Sequence, residues 1–250
     1  MTGDKLLTSA VIDSLTAAVT VLPDTCLFGL VSFSDHIDVW DLRHATPVTN
    51  HVPVYDISLM TGVIDSPAVD VEFEEVLQPD EFFVPVRQFK ANIFTAINSL
   101  ASLNDEHLAR NESDTPKRAL GTAVKYVLDF VTSYEDLVNV RLLTFTSGAC
   151  NWGLGKVSVG QTDLLPKTSF YRTMVRATHR LCPDSVITQA EQAASKNVAI
   201  DVTALRRDVH QQLGLASLKF LCSRTGGHLR LYDHATVTTL ATDLYVPRCI

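Results

Sequence analysis

Residues 140–157 read VRLLTFTSGACNWGLGKV. The first part, VRLLTFT (140–146), is a near-continuous apolar strand of the type that helices bury on both faces of a parallel sheet. It runs directly into SGACNWGLGKVSVG (147–160), a glycine-rich loop. In open α/β sheets, ligands and partners are met at the carboxyl ends of the strands. This segment therefore sets both the fold class and the first place to look for function.

Working outward, helical periodicity flanks the strand on both sides. Upstream, 117–132 carries Leu120, Val124, Val127, Leu128 and Val131 on one stripe just after Pro116, and 91–103 places Ile93, Ile97 and Leu100 on one face. The polar stretch LNDEHLARNESDT (103–115) between them is expected to be a loop. Downstream, Ser185 can cap a helix carrying Ile187, Ala190 and Ala194, and NVAIDVTAL (197–205) is a second buried strand. A helix from Leu213 to Cys222 ends at Gly226-Gly227, HLRLY (228–232) is a third strand, and 235–246 closes the pattern with Val237, Leu240 and Leu244.

The N-terminal part opens with an amphipathic helix over 5–19 (Leu7, Ala10, Val11, Leu15, Ala18), broken by Pro23-Asp24. LFGLVSF (27–33) and IDVWDL (37–42) are expected strands around a polar turn at Ser34-Asp35. The segment 55–83 carries eight acidic and no basic residues, and reads as an irregular connection with a solvated acidic face. Strands alternating with helices predict a three-layer α/β domain over 1–250, with a mostly parallel sheet and helices on both faces. No linker or internal repeat divides it.

Composition narrows the function classes. The 250 residues are 46% hydrophobic and 20% charged, enough to bury a core without disulfide or metal staples. A net charge of -7 argues against nucleic-acid binding, which needs a Lys/Arg excess. The five cysteines (26, 150, 182, 222 and 249) are too far apart for a Cys-x-x-Cys knuckle and read as reduced thiols of a cytosolic protein. The stretch MTGDKLLTSAVIDSL has no basic-then-apolar leader pattern, and the longest apolar run, CLFGLV (26–31), is far short of the ~20 residues of a spanning helix.

The catalytic motifs fail on inspection. A phosphate-binding loop needs G-x-x-x-x-G-K-[ST], and Gly155-Lys156 is preceded by Cys150 and followed by Val157 at the other two positions. A nucleophile elbow needs glycine two residues before the serine, where Phe145 precedes Ser147. The histidine pairs His44/His51 and His228/His234 lack metal-ligand spacing, and Asp35, Asp38 and Asp41 lack the glycine and distal glutamate of a calcium loop. Surface histidines and a solvated strand edge are the expected readings. No catalytic, cofactor-binding or metal-ligating residue is expected.

Several segments in order carry a family resemblance: VLPDTCLFGLVSFSDHIDVWDL (21–42), FFVPVRQFKANIFTAINSL (82–100), KRALGTAVKYVLDFV (117–131), RLLTFTSGACNWGLGKV (141–157), AEQAASKNVAIDVTAL (190–205) and TGGHLRLYD (225–233). Together they resemble the trunk domain of the COPII vesicle-coat inner-layer subunits. The loop Gly153-Leu154-Gly155-Lys156 is closer to the GTPase-activating subunit than to the cargo adaptor. The resemblance implies a von Willebrand A-like fold and a non-catalytic interaction role in ER-to-Golgi vesicle budding. It also implies a cytoplasmic location, peripheral at the endoplasmic reticulum membrane and COPII vesicles.

The implied partners are the paired inner-coat subunit and a Sar-family GTPase. The loop 147–160 itself is expected to be structural or partner-facing, held by Trp152 packing onto the sheet end, with Trp152, Gly153, Gly155 and Lys156 as the candidate partner-binding residues. The family's zinc finger and other accessory domains have no counterpart, so no cofactor is implied here. In the von Willebrand A-like plan a buried strand precedes the first helix. None is found before residue 5, so the domain is expected to be N-terminally incomplete. Two other readings compete. One is a von Willebrand A-like binding module outside the coat, whose D-x-S-x-S metal motif is approached only by Asp56-Ile57-Ser58-Leu59-Met60. The other is an unrecognised α/β enzyme.

Overall fold

The computed structural model describes residues 5–54, 73–110, 116–134, 137, 139–156, 184–208, 211 and 213–245. Strands run at Leu27–Phe28 (β1), Val31–Phe33 (β2), His36–Asp41 (β3), Val48–Pro53 (β4), Val84–Pro85 (β5), Arg141–Thr146 (β6), Ala199–Leu205 (β7) and Leu229–Tyr232 (β8). The main helices are Lys5–Val21 (α1), Val86–Arg110 (α2), Leu120–Ser133 (α3), Asp184–Ser195 (α4), Leu215–Thr225 (α5) and Leu240–Tyr245 (α6).

The expected parallel sheet is β6-β7-β8, paired in that order. The N-terminal strands pair differently: β2-β3-β4 is an antiparallel meander, and β1 pairs with β5. Short turns allow antiparallel neighbours, whereas each parallel pair needs a crossover helix. Here α4 lies between β6 and β7, and α5 between β7 and β8.

Alternation along the strands feeds two cores. Ile37, Val39 and Val52 of the meander join Ile200 and Val202 of β7 beneath α3, α4 and α5. Trp40, Leu42, Leu205 and Tyr232 point the other way, into the core closed by α1, α2 and Leu240 of α6. Helices thus cover both faces, and β3 is buried along most of its length for that reason.

Four expectations change. The polar stretch after residue 103 continues α2 to Arg110, because Leu103, Glu106, Leu108, Ala109 and Arg110 are good helix formers and polarity alone breaks no helix. The acidic connection is not solvated throughout. Its first part, 55–72, lies outside the described residues, but Leu77 and Phe82 are 4% and 2% exposed in the core. Phe82 meets Phe130 of α3 edge to face at 5.6 Å. The strand β4 was not expected from Pro47, Asn50 and Pro53, and pairing with β3 overrides their turn preference.

The fourth change concerns the aspartates of β3. Asp38 and Asp41 are 1% and 5% exposed, not on a solvated edge, because β3 is the middle strand of the meander. Buried carboxylates need partners. Asp41 has Arg43, whose Nη2 lies 2.7 Å from Oδ2 and whose Nη1 bridges to Glu81 at 2.8 Å. Asp38 has Ser32, His36 and His51.

Candidate functional site

β6 ends at Thr146, whose Oγ1 donates to the Gly148 carbonyl at 3.0 Å as the loop begins. Asn151 then latches the loop to the entrance of α3. Its Oδ1 accepts from the Arg118 N–H at 2.7 Å, and its Nδ2 donates to the Pro116 carbonyl at 3.0 Å. The backbone N–H groups of Asn151 and Trp152 both reach the Arg118 carbonyl at 3.3 Å. Burial, with Arg207 nearby, pulls the proton affinity of the Arg118 guanidinium below its ordinary range.

The Gly-x-Gly turn sits directly on α3. Gly153 and Gly155 have φ of 66° and 74°, a left-handed conformation that other residues rarely adopt. Between them, the Leu154 N–H donates to Thr122 Oγ1 at 2.9 Å. Cys150 is buried beneath the turn, and its Sγ lies 3.5 and 3.4 Å from the Trp152 and Leu154 carbonyls. Burial pushes its thiol up, away from the thiolate that reactive cysteines need. The space left inside, about 30 Å³ among Leu120, Val124, Cys150, Leu218 and Leu221, is room for one water. The inner side of the loop is therefore packed, and its recognisable groups lie outside.

Trp152 is the hinge between inside and outside. Its partly buried ring packs on the core, and Nε1 donates to the Val54 carbonyl at 2.9 Å. The Lys117 ammonium stands 3.9 Å from the ring centroid, a cation–π contact. Lys117 and Lys156 are both exposed, so two positive charges lie close to the loop in a chain of net charge -7.

Of Trp152, Gly153, Gly155 and Lys156, only Lys156 is exposed; the glycines are half-buried turn-formers and the ring is part-packed. The residues that position the loop, Asn151, Arg118, Thr122 and Val54, were not legible as a group because the contacts they make span 32 to 98 positions. The histidine pairings also differ. His44 faces Asp41 at 3.4 Å and His228 faces Asp201 at 3.3 Å, while His36, Asp38 and His51 converge on one another. Asp56 to Met60 lie outside the described residues.

With the strand order, both helical layers and this loop established, comparison with known proteins assigns the family. The family model of the Sec23/Sec24 trunk domain matches residues 4–245. The chain belongs to the Sec23/Sec24 trunk domain family. The trunk domain is 26% identical to the protein transport protein SEC23 D of Arabidopsis thaliana, across 93% of this chain and 31% of that protein. It spans under a third of the length of that relative.

Among solved structures, the crystal structure of the human COPII-coat protein Sec24c superposes with a TM-score of 0.62 at 14% identity, covering 95% of this chain and 30% of that one. A von Willebrand factor type A protein from Catenulispora acidiphila superposes with a TM-score of 0.52 at 11% identity, covering 96% and 37%. Both likenesses establish the von Willebrand A-like α/β fold of this trunk domain. No helix among the described residues is long and apolar enough to cross a membrane.

Proposed function

We propose that this chain is a non-catalytic interaction domain of a COPII coat subunit, acting in ER-to-Golgi vesicle budding while peripherally attached to the endoplasmic reticulum membrane. The observation that carries the reading is the trunk-family match over residues 4–245. The site chemistry agrees with it. The loop at the end of β6 is packed on its inner side, its cysteine is buried, and its outer side offers an aromatic ring under Lys117, with Lys156 exposed four residues on. An aromatic anchor with flanking cations suits an acidic protein surface.

The partner proposed for this surface is the paired inner-coat subunit, with a Sar-family GTPase proposed as the second partner. The test is co-purification of the tagged full-length protein, followed by a pairwise binding measurement. The paired coat subunit is expected in the eluate, and Lys117→Glu with Lys156→Glu is expected to weaken the pair at least tenfold with the melting temperature unchanged. Absence of coat subunits, or unaltered binding by the double variant, overturns the reading or its placement on this loop, respectively.

A further inference from the structure

The β3–β4 register sets Asp38 directly across from His51 and His36 across from Pro53. Residues two apart on a strand share a face, so His36 and Asp38 lie on one side and meet His51 there. His36 Nε2 is 3.1 Å from Asp38 Oδ1, and His51 Nδ1 contacts the same oxygen. The two imidazoles meet edge to face with centroids 5.4 Å apart, and one ligand atom from each residue falls within 4.8 Å of the others. Asp38 is 1% exposed, while the His51 side chain is 60% exposed.

The surroundings fix which atoms face inward. His36 Nδ1 lies 2.8 Å from Asp35 Oδ1 and 3.1 Å from Ser34 Oγ, so in the tautomer with its proton on Nδ1 the Nε2 lone pair faces the Asp38 side. Asp38 Oδ2 accepts from Ser32 Oγ at 3.0 Å, and Ser32 Oγ accepts from Trp40 Nε1 at 3.1 Å, which turns Oδ1 toward the imidazoles. Protons on the facing nitrogens pair both imidazoles with the Asp38 carboxylate, and a metal ion bound there takes the place of those protons. A carboxylate holding the outer nitrogen of a ligating imidazole, as Asp35 holds His36, is the usual support of a metal-bound histidine.

We propose that His36 Nε2, Asp38 Oδ1 and His51 Nδ1 bind a divalent transition-metal ion of the Zn²⁺ class. Two imidazoles and one carboxylate are a borderline donor set that suits Zn²⁺, whereas Ca²⁺ and Mg²⁺ take oxygen shells. Small ring movements bring all three atoms to the ~2.0–2.2 Å of zinc ligands. Three protein ligands leave the fourth tetrahedral position open on the His51 side, toward solvent, for a water or a donor from another molecule. The site stands apart from the coat role but not from the loop. Val54 follows β4, donates its N–H to the Asp35 carbonyl at 3.2 Å, and accepts from Trp152 Nε1. The metal-holding turn and the Trp152 loop are joined through that one residue.

The full chain, stripped with a chelator, is titrated with Zn²⁺ by calorimetry and with Co²⁺ by visible absorption. The expected result is one equivalent of Zn²⁺ at micromolar or tighter affinity and the strong d–d bands of tetrahedral Co²⁺. His51→Ala, at a mostly exposed side chain, is expected to fold and to lose at least 100-fold in affinity, while His44→Ala on the same meander leaves it unchanged. Zn²⁺ at a hundredfold excess over Kd is expected to raise the wild-type melting temperature by about 5 °C or more and that of His51→Ala not at all. Failure to bind Zn²⁺ would show that the cluster holds protons instead. Binding indifferent to His51→Ala, or a preference for Ca²⁺ or Mg²⁺, equally overturns the site.

Discussion

The Leu154 carbonyl oxygen lies 2.1 Å from where a Cβ on Gly121 would stand. Gly121 is inside α3, where an alanine ordinarily stabilises a helix by about 1 kcal/mol. Here the neighbour is backbone, held in place by the Leu154 N–H bond to Thr122, so it has no rotamer to give. Gly121→Ala is therefore expected to destabilise the domain by about 2 kcal/mol, the scale of overpacking in a tight core. Urea unfolding of the two proteins checks the sign; a stabilised variant would show that the loop is not seated on α3.

Trp152 tests how much of the loop is structural. Trp152→Phe keeps a ring on the core but removes the donor to the Val54 carbonyl, at a cost of about 1 kcal/mol. Trp152→Ala also removes the packed ring and is expected to cost about 3 kcal/mol. Thermal melts of both variants decide it. Equal losses would place the contribution in the hydrogen bond rather than in packing.

Asp201 gives the parallel sheet an acid-sensitive joint. Burial alone would raise its carboxyl, but the Arg141 guanidinium at 2.5 Å and the His228 N–H at 2.7 Å hold it below the ordinary aspartate range. A pKa lowered by folding contributes stability above the unfolded value of about 3.9, lost as pH falls through the folded value. Asp201→Asn is expected to cost about 2 kcal/mol at neutral pH, the range of hydrogen bonds to charged groups. The gap to wild type should close as the pH drops below about 4. Denaturant midpoints across that range check it, and a gap constant with pH would exclude the mechanism.

β6 pairs with β7 on one side only among the described residues, and Leu143 in it is 38% exposed. An apolar residue on an unpaired strand edge invites edge-to-edge association. Leu143 lies directly across from Asp201, so a lysine there meets a carboxylate. Leu143→Lys is expected to shift stability by no more than about 0.5 kcal/mol and to reduce concentration-dependent association. Light scattering against concentration checks it, and undiminished association would locate the sticky surface elsewhere.

The apolar patterns read at 5–19, 117–132 and 197–205 determined α1, α3 and β7 locally, since each carries its own apolar face into a core. The near-continuous apolar run at 140–146 likewise implied a strand, although β6 is covered chiefly in its second half and leaves Arg141 and Leu143 exposed, and the order of segments pointed to the family. The loop at 147–156 was legible as a turn because glycine announces left-handed backbone. What held it was not legible: Asn151, Arg118, Thr122 and Val54 act across 32 to 98 positions, and no local pattern encodes such distances.

The histidine–aspartate cluster shows the same division more sharply. Asp38 looked like a surface carboxylate because aspartates recur at 35, 38 and 41, as on a solvated strand edge; it is buried because β4, a strand the turn-forming prolines concealed, pairs alongside β3. Only that pairing brings His51, 13 positions away, to the Asp38 carboxylate. Local sequence determines which backbone segments pay little to become helix or strand. Which side chains share one small volume is decided by register between segments, and register is settled by burial of the whole face at once.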